Sequence, residues 1–188
     1  MSDNEEYWAE RKRMQEAAAS SPPREELILT PMPVSEELHL YGGATALSRA
    51  HSGGSRPLNY WRAAGFLEGD VLDFGSGKDL HEFAKYDPVF YPDIAPLRRE
   101  YDVILCSYVL NVQPSDHLID LICLGLRGIL RPAGILLAAV VTDSNLSGTD
   151  ACGRQHAKDA SEWEALLGRW FDVHRESAAG FCGFVCSR

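Results

Sequence analysis

The fold of this chain is decided by the stretch Asp70-Val71-Leu72-Asp73-Phe74-Gly75-Ser76-Gly77-Lys78-Asp79. Its apolar residues predict a buried parallel strand, and Asp73 stands at the carboxyl end of that strand. Gly75 and Gly77 then allow the main chain to turn tightly and to approach a ligand closely. The stretch therefore predicts a ligand site at the end of a strand, followed by a helix whose N–H groups face an anionic group of the ligand.

Two classes of cofactor are bound by a strand and a glycine turn of this kind. A dinucleotide site needs the pattern G-x-G-x-x-G, and the third glycine is absent here. Asp73 would repel a pyrophosphate, whereas it can bind an ammonium group and orient the glycine loop. The stretch therefore favours an adenosyl cofactor with an ammonium group over a dinucleotide.

Length and composition predict one globular domain with an N-terminal extension. The 188 residues suffice for one sizeable core, and 45% hydrophobic with 24% charged residues is typical of a globular protein. No apolar run reaches the roughly 20 residues that a membrane helix needs. We expect residues 1–54 to form a short helix and an irregular cap or lid segment, and residues 55–188 to form the cofactor-binding domain.

The charge and the cysteine content predict the cellular compartment and the kinds of partner. Five cysteines without C-x-x-C spacing predict buried thiols in a reducing compartment, and the acidic N-terminus does not resemble a secretion signal. We therefore expect a cytoplasmic protein with no membrane partner. The net charge of −9 argues against nucleic acid as a partner, because binding to phosphates depends on clustered Lys and Arg.

Hydrophobic periodicity and turn residues predict alternating helices and strands after residue 54. The predicted helices are 57–64, 80–84, 115–130 and a helix capped by Ser161 and Glu164. The predicted strands after the first are 86–90, 101–106, 135–141, 171–177 and 181–186, with residues 131–134 as a break between helix and strand. This alternation predicts an α/β fold with a mostly parallel sheet, to which the last two strands add a C-terminal antiparallel hairpin.

Three segments resemble, in the expected order, motifs of the class I S-adenosylmethionine-dependent methyltransferases. Residues 71–77 resemble the first motif, residues 101–112 the fourth strand and its loop, and residues 130–136 the L-x-P-G-G-x-L turn into the fifth strand. The resemblance implies a Rossmann-like fold, S-adenosylmethionine as the cofactor and methyltransferase activity.

A narrower resemblance concerns residues 45–49, Ser55-Arg56-Pro57, Tyr86-Asp87-Pro88 and the run V-L-N-V at 109–112. These segments are similar to a methyltransferase-like branch found beside DNA phosphorothioation genes and in phages. That branch is itself poorly defined in function, so it indicates residues rather than a substrate.

The resemblance implies a set of cofactor-binding residues, namely Asp73, Phe74, Gly75, Ser76, Gly77, Asp87, Pro88, Arg49 and Ser107. Asp87 is expected to accept both ribose hydroxyls, because a carboxylate with two oxygens matches a vicinal diol. Asp93 is the second candidate, since its spacing from Asp73 is closer to the usual ~20 residues. Arg49 or Arg56 could clamp a carboxylate of the cofactor or an acidic group of the acceptor.

Tyr108 and Asn111 are the candidate catalytic residues, because they follow the predicted strand 101–106 where open α/β sheets bind ligands. Transfer of a methyl group from a sulfonium needs alignment more than a strong catalyst. His51, His117 and His174 are candidate bases by their chemistry alone. The sequence contains neither a D-P-P-Y nor an N-P-P-Y tetrad, and no metal-binding pattern stands out.

The function predicted from these features is methyl transfer from S-adenosylmethionine to a small-molecule acceptor. Different chemistry with the same cofactor, such as aminocarboxypropyl transfer, cyclisation or lysis, is also compatible with the sequence, because the fold does not fix which carbon is attacked. A nucleic-acid methyltransferase and a non-catalytic cofactor-binding module would fit the same features. The sequence leaves the oligomeric state open.

Overall fold

A computed structural model of the chain describes residues 55–113, 115–142, 158–178 and 181–188. All of these belong to one compact unit, Pro31–Arg188. The helices are α1 (Arg56–Ala63), α2 (Asp116–Gly128) and α3 (Ala160–Leu167), with 3-10 turns at Ala95–Arg98 and Leu110–Val112. The strands are β1 (Val71–Phe74), β2 (Ala84–Tyr86), β3 (Tyr101–Ser107), β4 (Leu130–Val140), β5 (Asp172–Ala178) and β6 (Phe181–Ser187).

The strands of the described residues form one sheet in the order β2-β1-β3-β4-β6-β5. β1 is parallel to β2 and to β3, and β3 is parallel to β4. β6 is antiparallel to both β4 and β5. The predicted α/β fold, with a mostly parallel sheet and a C-terminal antiparallel hairpin, is confirmed.

One face of the sheet forms the main hydrophobic core. Leu72, Ile104, Leu136 and Cys186 are register partners across β1, β3, β4 and β6, and all four are fully buried. The helices α2 and α3 contribute apolar side chains to the same cluster, namely Ile119, Ile122, Cys123, Leu126, Trp163, Leu166 and Leu167. Because side chains alternate between the two faces of a strand, burial of this row fixes the register of the four strands.

The helix α1 packs on the opposite face. Ser55 caps it by accepting a hydrogen bond from the Leu58 N–H, and Pro57 occupies the first turn, where its missing N–H costs nothing. Trp61 is fully buried and packs against Gly183 of β6. The predicted helix 57–64 is thus confirmed, and its large aromatic residue fits only because β6 carries a glycine there.

The parallel strands place the candidate site at one edge of the sheet. The glycine loop (residues 75–77) follows β1 and residues 108–113 follow β3, so both lie at the carboxyl ends of adjacent parallel strands. Open α/β sheets bind their ligands at this edge.

The segment between β1 and β2 differs from the prediction. The expected helix 80–84 is absent, and the strand expected at 86–90 is instead Ala84–Tyr86, which ends immediately before Asp87. The Asp87 carboxylate accepts the N–H groups of Val89 and Phe90, so the chain turns where the sequence pattern predicted a continuing strand.

Two further predicted boundaries are wrong. β4 begins at Leu130, so residues 131–134 belong to the strand, and a register shift opposite Tyr101 and Val103 absorbs them. The capping box of α3 is formed by Asp159 and Glu162 rather than by Ser161 and Glu164. The Asp159 carboxylate accepts the N–H groups of Ser161 and Glu162 and therefore begins the helix earlier.

The expected N-terminal helix and cap or lid segment over residues 1–54 lie outside the described residues, as do residues 179–180 and Cys152. Cys106, Cys123 and Cys186 are buried free thiols, and Cys182 is a half-buried one. Within the described residues, every helix is too short or too polar to cross a membrane.

Replacement of Gly183 by alanine tests the packing of α1 on the sheet. A Cβ at Gly183 would lie 2.9 Å from both Trp61 Cη2 and Phe181 Cε2. We expect Gly183→Ala to lower the free energy of unfolding by about 1–3 kcal/mol, because these two buried rings cannot move away without disturbing their neighbours.

Gly128→Ala in α2 is the control for this substitution, since a Cβ there meets nothing within 4 Å. Alanine in a helix is expected to be neutral or to stabilise by up to about 1 kcal/mol. Urea unfolding measures both variants, and equal effects would contradict the packing of Trp61 on Gly183.

Candidate functional site

The glycine loop is held by hydrogen bonds to the end of β2. The N–H groups of Gly75 and Ser76 donate to the Tyr86 carbonyl at 2.7 and 3.3 Å, and the Gly77 N–H donates to Asp87 Oδ2 at 3.0 Å. Gly75 and Gly77 have φ values of 75° and 58°. These left-handed conformations favour glycine and allow the chain to bring successive N–H groups to neighbouring acceptors.

Gly75 is also required by its contact with the loop after β3. A Cβ at this position would overlap the side chain of Val109. The two loops at the carboxyl ends of β1 and β3 are therefore in direct contact, with the glycine backbone against a valine side chain.

The buried Asp87 carboxylate accepts hydrogen bonds from three backbone N–H groups. Oδ2 accepts from Gly77, and Oδ1 accepts from Val89 and Phe90, both at 2.9 Å. A carboxylate offers about four lone-pair positions, so these bonds leave room for about one more donor. The structure therefore gives Asp87 a role in holding the loop, and the expected contact with both ribose hydroxyls stays a prediction. Asp93, the second candidate, is exposed, and its Oδ1 accepts the Ala95 N–H.

The carboxylate of Asp73 forms a buried pair with His81. His81 Nε2 lies 2.7 Å from Asp73 Oδ2, and the exposed fractions of the two side chains are 2% and 8%. Burial raises the pKa of the Asp73 carboxyl, and the hydrogen bond from His81 acts in the opposite direction. His81 was not among the residues predicted from the sequence, because a helix over 80–84 would have given it a different position.

Asp79 connects the glycine loop to α1. Its carboxylate accepts the Ser55 N–H at 3.0 Å, and its own N–H donates to the Ser76 carbonyl. Asp79 is buried. The start of α1 is therefore fixed beside the loop. No sequence pattern predicted this connection, since the two segments are distant along the chain.

Tyr108 adopts a left-handed conformation directly after β3. Its φ is 60°, which is unusual for a residue with a side chain, and its N–H donates to the Ala139 carbonyl at 2.7 Å. Burial raises the pKa of the Tyr108 hydroxyl, and the positive charge of Arg56 opposes that shift. Residues with a strained backbone, such as Tyr108, are concentrated at functional sites.

Asn111 and Ser76 carry buried polar atoms without a hydrogen-bond partner among the described residues. Asn111 is 1% exposed, and both its Oδ1 and its Nδ2 are unpartnered, as is the Ser76 hydroxyl. A buried polar atom without a partner costs about 1–3 kcal/mol. The two residues stand in the loops after β3 and β1, so they are candidates for contacts with a ligand.

Comparison with solved structures identifies the fold. PigF, solved with SAH, superposes with a TM-score of 0.52 at 13% sequence identity over 70% of this chain, and the chain spans 54% of the length of PigF. The glycopeptide N-methyltransferase MtfA, complexed with (S)-adenosyl-L-homocysteine, gives a TM-score of 0.52 at 12% identity, with 84% of this chain and 98% of MtfA covered. MtfA complexed with sinefungin gives 0.51 at 11% identity, with 73% and 94% covered.

The chain has the class I methyltransferase fold. No family model and no curated protein sequence matches it. At these identities the likeness is one of fold, since sites on one fold vary widely. The narrower resemblance to the branch beside phosphorothioation genes stays a prediction.

On this methyltransferase fold, the remaining predicted residues differ in what they can offer a cofactor. The Phe74 side chain is buried in the core and stacked on Tyr86 with ring centroids 5.5 Å apart, so only its backbone could reach a ligand. Pro88 and Ser107 are half-buried at the ends of β2 and β3. Arg49 lies outside the described residues.

The predicted bases lie apart from the glycine loop in sequence. His117 is exposed on α2, and His174 is exposed on β5, 3.7 Å from Glu176 Oε1. His51 is not among the described residues. Within those residues no group of three or more His, Cys, Asp or Glu side chains could hold a metal ion.

The residues at this edge of the methyltransferase fold fit an adenosyl cofactor with an amino acid moiety. The glycine cradle allows close approach, Asp73 can balance an ammonium group, and Ser76 and Asn111 have unmet hydrogen-bonding capacity. The helix expected directly after the loop is absent from residues 78–83. Hydrogen-bond donors for an anionic group of the ligand therefore have to come from other residues.

Replacement of Gly75 by alanine tests the contact between the two loops. Gly65 is the matched control, because its φ of 77° is similar and a Cβ there meets nothing within 4 Å. We expect Gly65→Ala to cost about 1–2 kcal/mol from backbone strain alone, and Gly75→Ala to cost more because of the overlap with Val109. The double variant Gly75→Ala with Val109→Ala should recover part of the difference, as measured by thermal unfolding. Equal costs at Gly65 and Gly75 would exclude the loop contact.

Proposed function

We propose that this protein is an S-adenosylmethionine-dependent methyltransferase that acts on a small-molecule acceptor. The observation that carries the proposal is the glycine loop beside buried Asp73, at the carboxyl edge of a class I methyltransferase fold. The unpartnered polar atoms of Ser76 and Asn111 support it, because they lie in the two loops that would border the cofactor.

In this proposal Gly75, Ser76 and Gly77 hold the amino acid moiety, and Asp73 balances its ammonium group. Asp87 keeps the loop in place through the Gly77 N–H and has capacity for one ribose hydroxyl. Pro88 and Ser107 border the site at the ends of β2 and β3. Arg56, whose positive charge acts on the Tyr108 hydroxyl, could bind a carboxylate.

When bound, S-adenosylmethionine supplies an electrophilic methyl group on a sulfonium. The residues of the chain then have to orient the acceptor and exclude water, because direct displacement depends mainly on alignment. Asn111 is suited to hold the acceptor through its unpartnered amide, and the hydroxyl of the half-buried Tyr108 is suited to position it.

The net negative charge of the chain supports a small-molecule acceptor rather than a nucleic acid. The chain has 18 Lys and Arg against 27 Asp and Glu, so it lacks the surplus of positive charge on which contact with phosphates depends. We also propose a cytoplasmic location, which the four free thiols of the described residues support, since such thiols persist in a reducing compartment.

Binding and product analysis test the function. We expect calorimetry to show binding of S-adenosylmethionine and S-adenosylhomocysteine, and incubation with small-molecule extracts to yield S-adenosylhomocysteine. Absence of binding at millimolar ligand would contradict the assignment of S-adenosylmethionine as the cofactor.

The product distinguishes the proposed reaction from its competitors. Methylthioadenosine would indicate attack on the aminocarboxypropyl carbon, and binding without either product would indicate a non-catalytic module. Salt-sensitive binding of DNA or RNA, together with incorporation of labelled methyl groups into it, would show that the acceptor is a nucleic acid and not a small molecule.

Substitution of Asp87 and Asp93 tests which carboxylate serves the cofactor. We expect Asp87→Ala to weaken cofactor binding by about 1–3 kcal/mol, because it removes the acceptor of the Gly77 N–H and of a ribose hydroxyl. Asp93→Ala, at an exposed position, should change it much less. Calorimetry with S-adenosylhomocysteine measures both, and a reversed ranking would place the ribose at Asp93.

A further inference from the structure

The glycine loop uses its N–H groups internally. Those of Gly75, Ser76 and Gly77 donate to the Tyr86 carbonyl and to the Asp87 carboxylate. Residues 78–83 form no helix, so no helix N-terminus adds donors there. The backbone of residues 75–77 therefore has no N–H group to spare for an anion, so it suits a cationic group of a ligand better than an anionic one.

Two buried carboxylates reinforce this preference. Asp73 and Asp79 are each 5% exposed. Burial raises the pKa of the Asp73 carboxyl, and the negative charge of Asp79 raises it further. His81 and Lys85 act on this pKa in the opposite direction. The Lys85 ammonium lies over the ring of Tyr91, 5.2 Å from its centroid, so of these two residues only His81 forms a hydrogen bond with Asp73 within the described part of the chain.

While the Asp73 carboxyl is ionised, its hydrogen bond to His81 fixes the tautomer of the imidazole. An ionised carboxylate only accepts hydrogen bonds, so Nε2 of His81 then carries the hydrogen that lies between them. In the neutral imidazole, Nδ1 is then a lone-pair acceptor. This Nδ1 is buried and has no hydrogen-bond partner among the described residues. Such an atom is seldom left unpartnered unless a ligand or water meets it.

We propose that His81 is a cofactor-binding residue whose Nδ1 accepts a hydrogen bond from the α-ammonium group of the cofactor, while Asp73 holds the imidazole in place. The inference rests on the proposed function, since it requires a cofactor with an amino acid moiety. It assigns the ammonium contact to the Asp73–His81 pair, with the imidazole as the group that touches the ligand.

Two probes separate this role from a purely structural one. S-adenosylhomocysteine carries the amino acid moiety, and methylthioadenosine has the same adenosine and thioether without it. In His81→Gln, the side-chain amide can still donate to Asp73, whereas the Nδ1 acceptor is lost. His174→Gln is the matched control, because His174 is exposed on β5. Thermal unfolding first establishes that both variants fold.

We expect His81→Gln to weaken S-adenosylhomocysteine binding about 10- to 100-fold, as for a charge-assisted hydrogen bond, with methylthioadenosine affinity unchanged. His174→Gln should change neither affinity. A parallel loss for both ligands, or no loss for either, would overturn the inference and leave the proposed function intact. If the wild-type protein binds neither ligand, the proposed function fails and the inference fails with it.

A measurement on the wild-type protein keeps the test independent of the folding of His81→Gln. In protein with isotope-labelled histidine, the ring-nitrogen spectrum should show one imidazole whose unprotonated nitrogen shifts on addition of S-adenosylhomocysteine and does not shift with methylthioadenosine. An imidazole spectrum that responds identically to both ligands, or to neither, would count against the contact.

Discussion

The candidate site depends on the hydrogen bonds that fix the glycine loop to the end of β2. The Tyr86 carbonyl and the Asp87 carboxylate together accept the three N–H groups of residues 75–77. Because β2 is parallel to β1 and lies beside it, these bonds set the direction in which the chain leaves β1. The contact of Gly75 with Val109 then positions the loop after β3. These hydrogen bonds and the contact with Val109 together determine the relative position of three segments around the site.

The buried polar residues are concentrated at the same edge. Asp73, Asp79 and Asp87 each have a hydrogen-bond partner in the structure, so the cost of burying a carboxylate is at least partly offset. Asn111 and the Ser76 hydroxyl have none among the described residues. These two groups lie beside the glycine loop, and they would gain more from a ligand than the buried polar groups that already have partners.

The methyltransferase fold and the proposed activity rest on different evidence. Sheet order and superposition on MtfA establish the fold. The cofactor and the acceptor have to be inferred from the site itself, because similar sheets support many reactions. Between β1 and β2 the structure has a loop and a buried imidazole where the sequence predicted a helix. The proposed contact with a cationic group of the cofactor depends on that difference.

The sequence by itself determined the α/β fold, the glycine loop and the place of that loop at the carboxyl edge of the sheet. These depend on local signals, namely apolar runs of strand length, the spacing of Gly75 and Gly77, and the alternation of helices with strands. Tertiary structure decided the partners of each side chain. Asp87 turns the chain after Tyr86, Asp79 meets Ser55, and His81 meets Asp73. Such contacts join residues that have no periodic relation in sequence, so no sequence pattern predicts them. They depend on the pairing of the strands, which buries the carboxylates where they need hydrogen-bond donors.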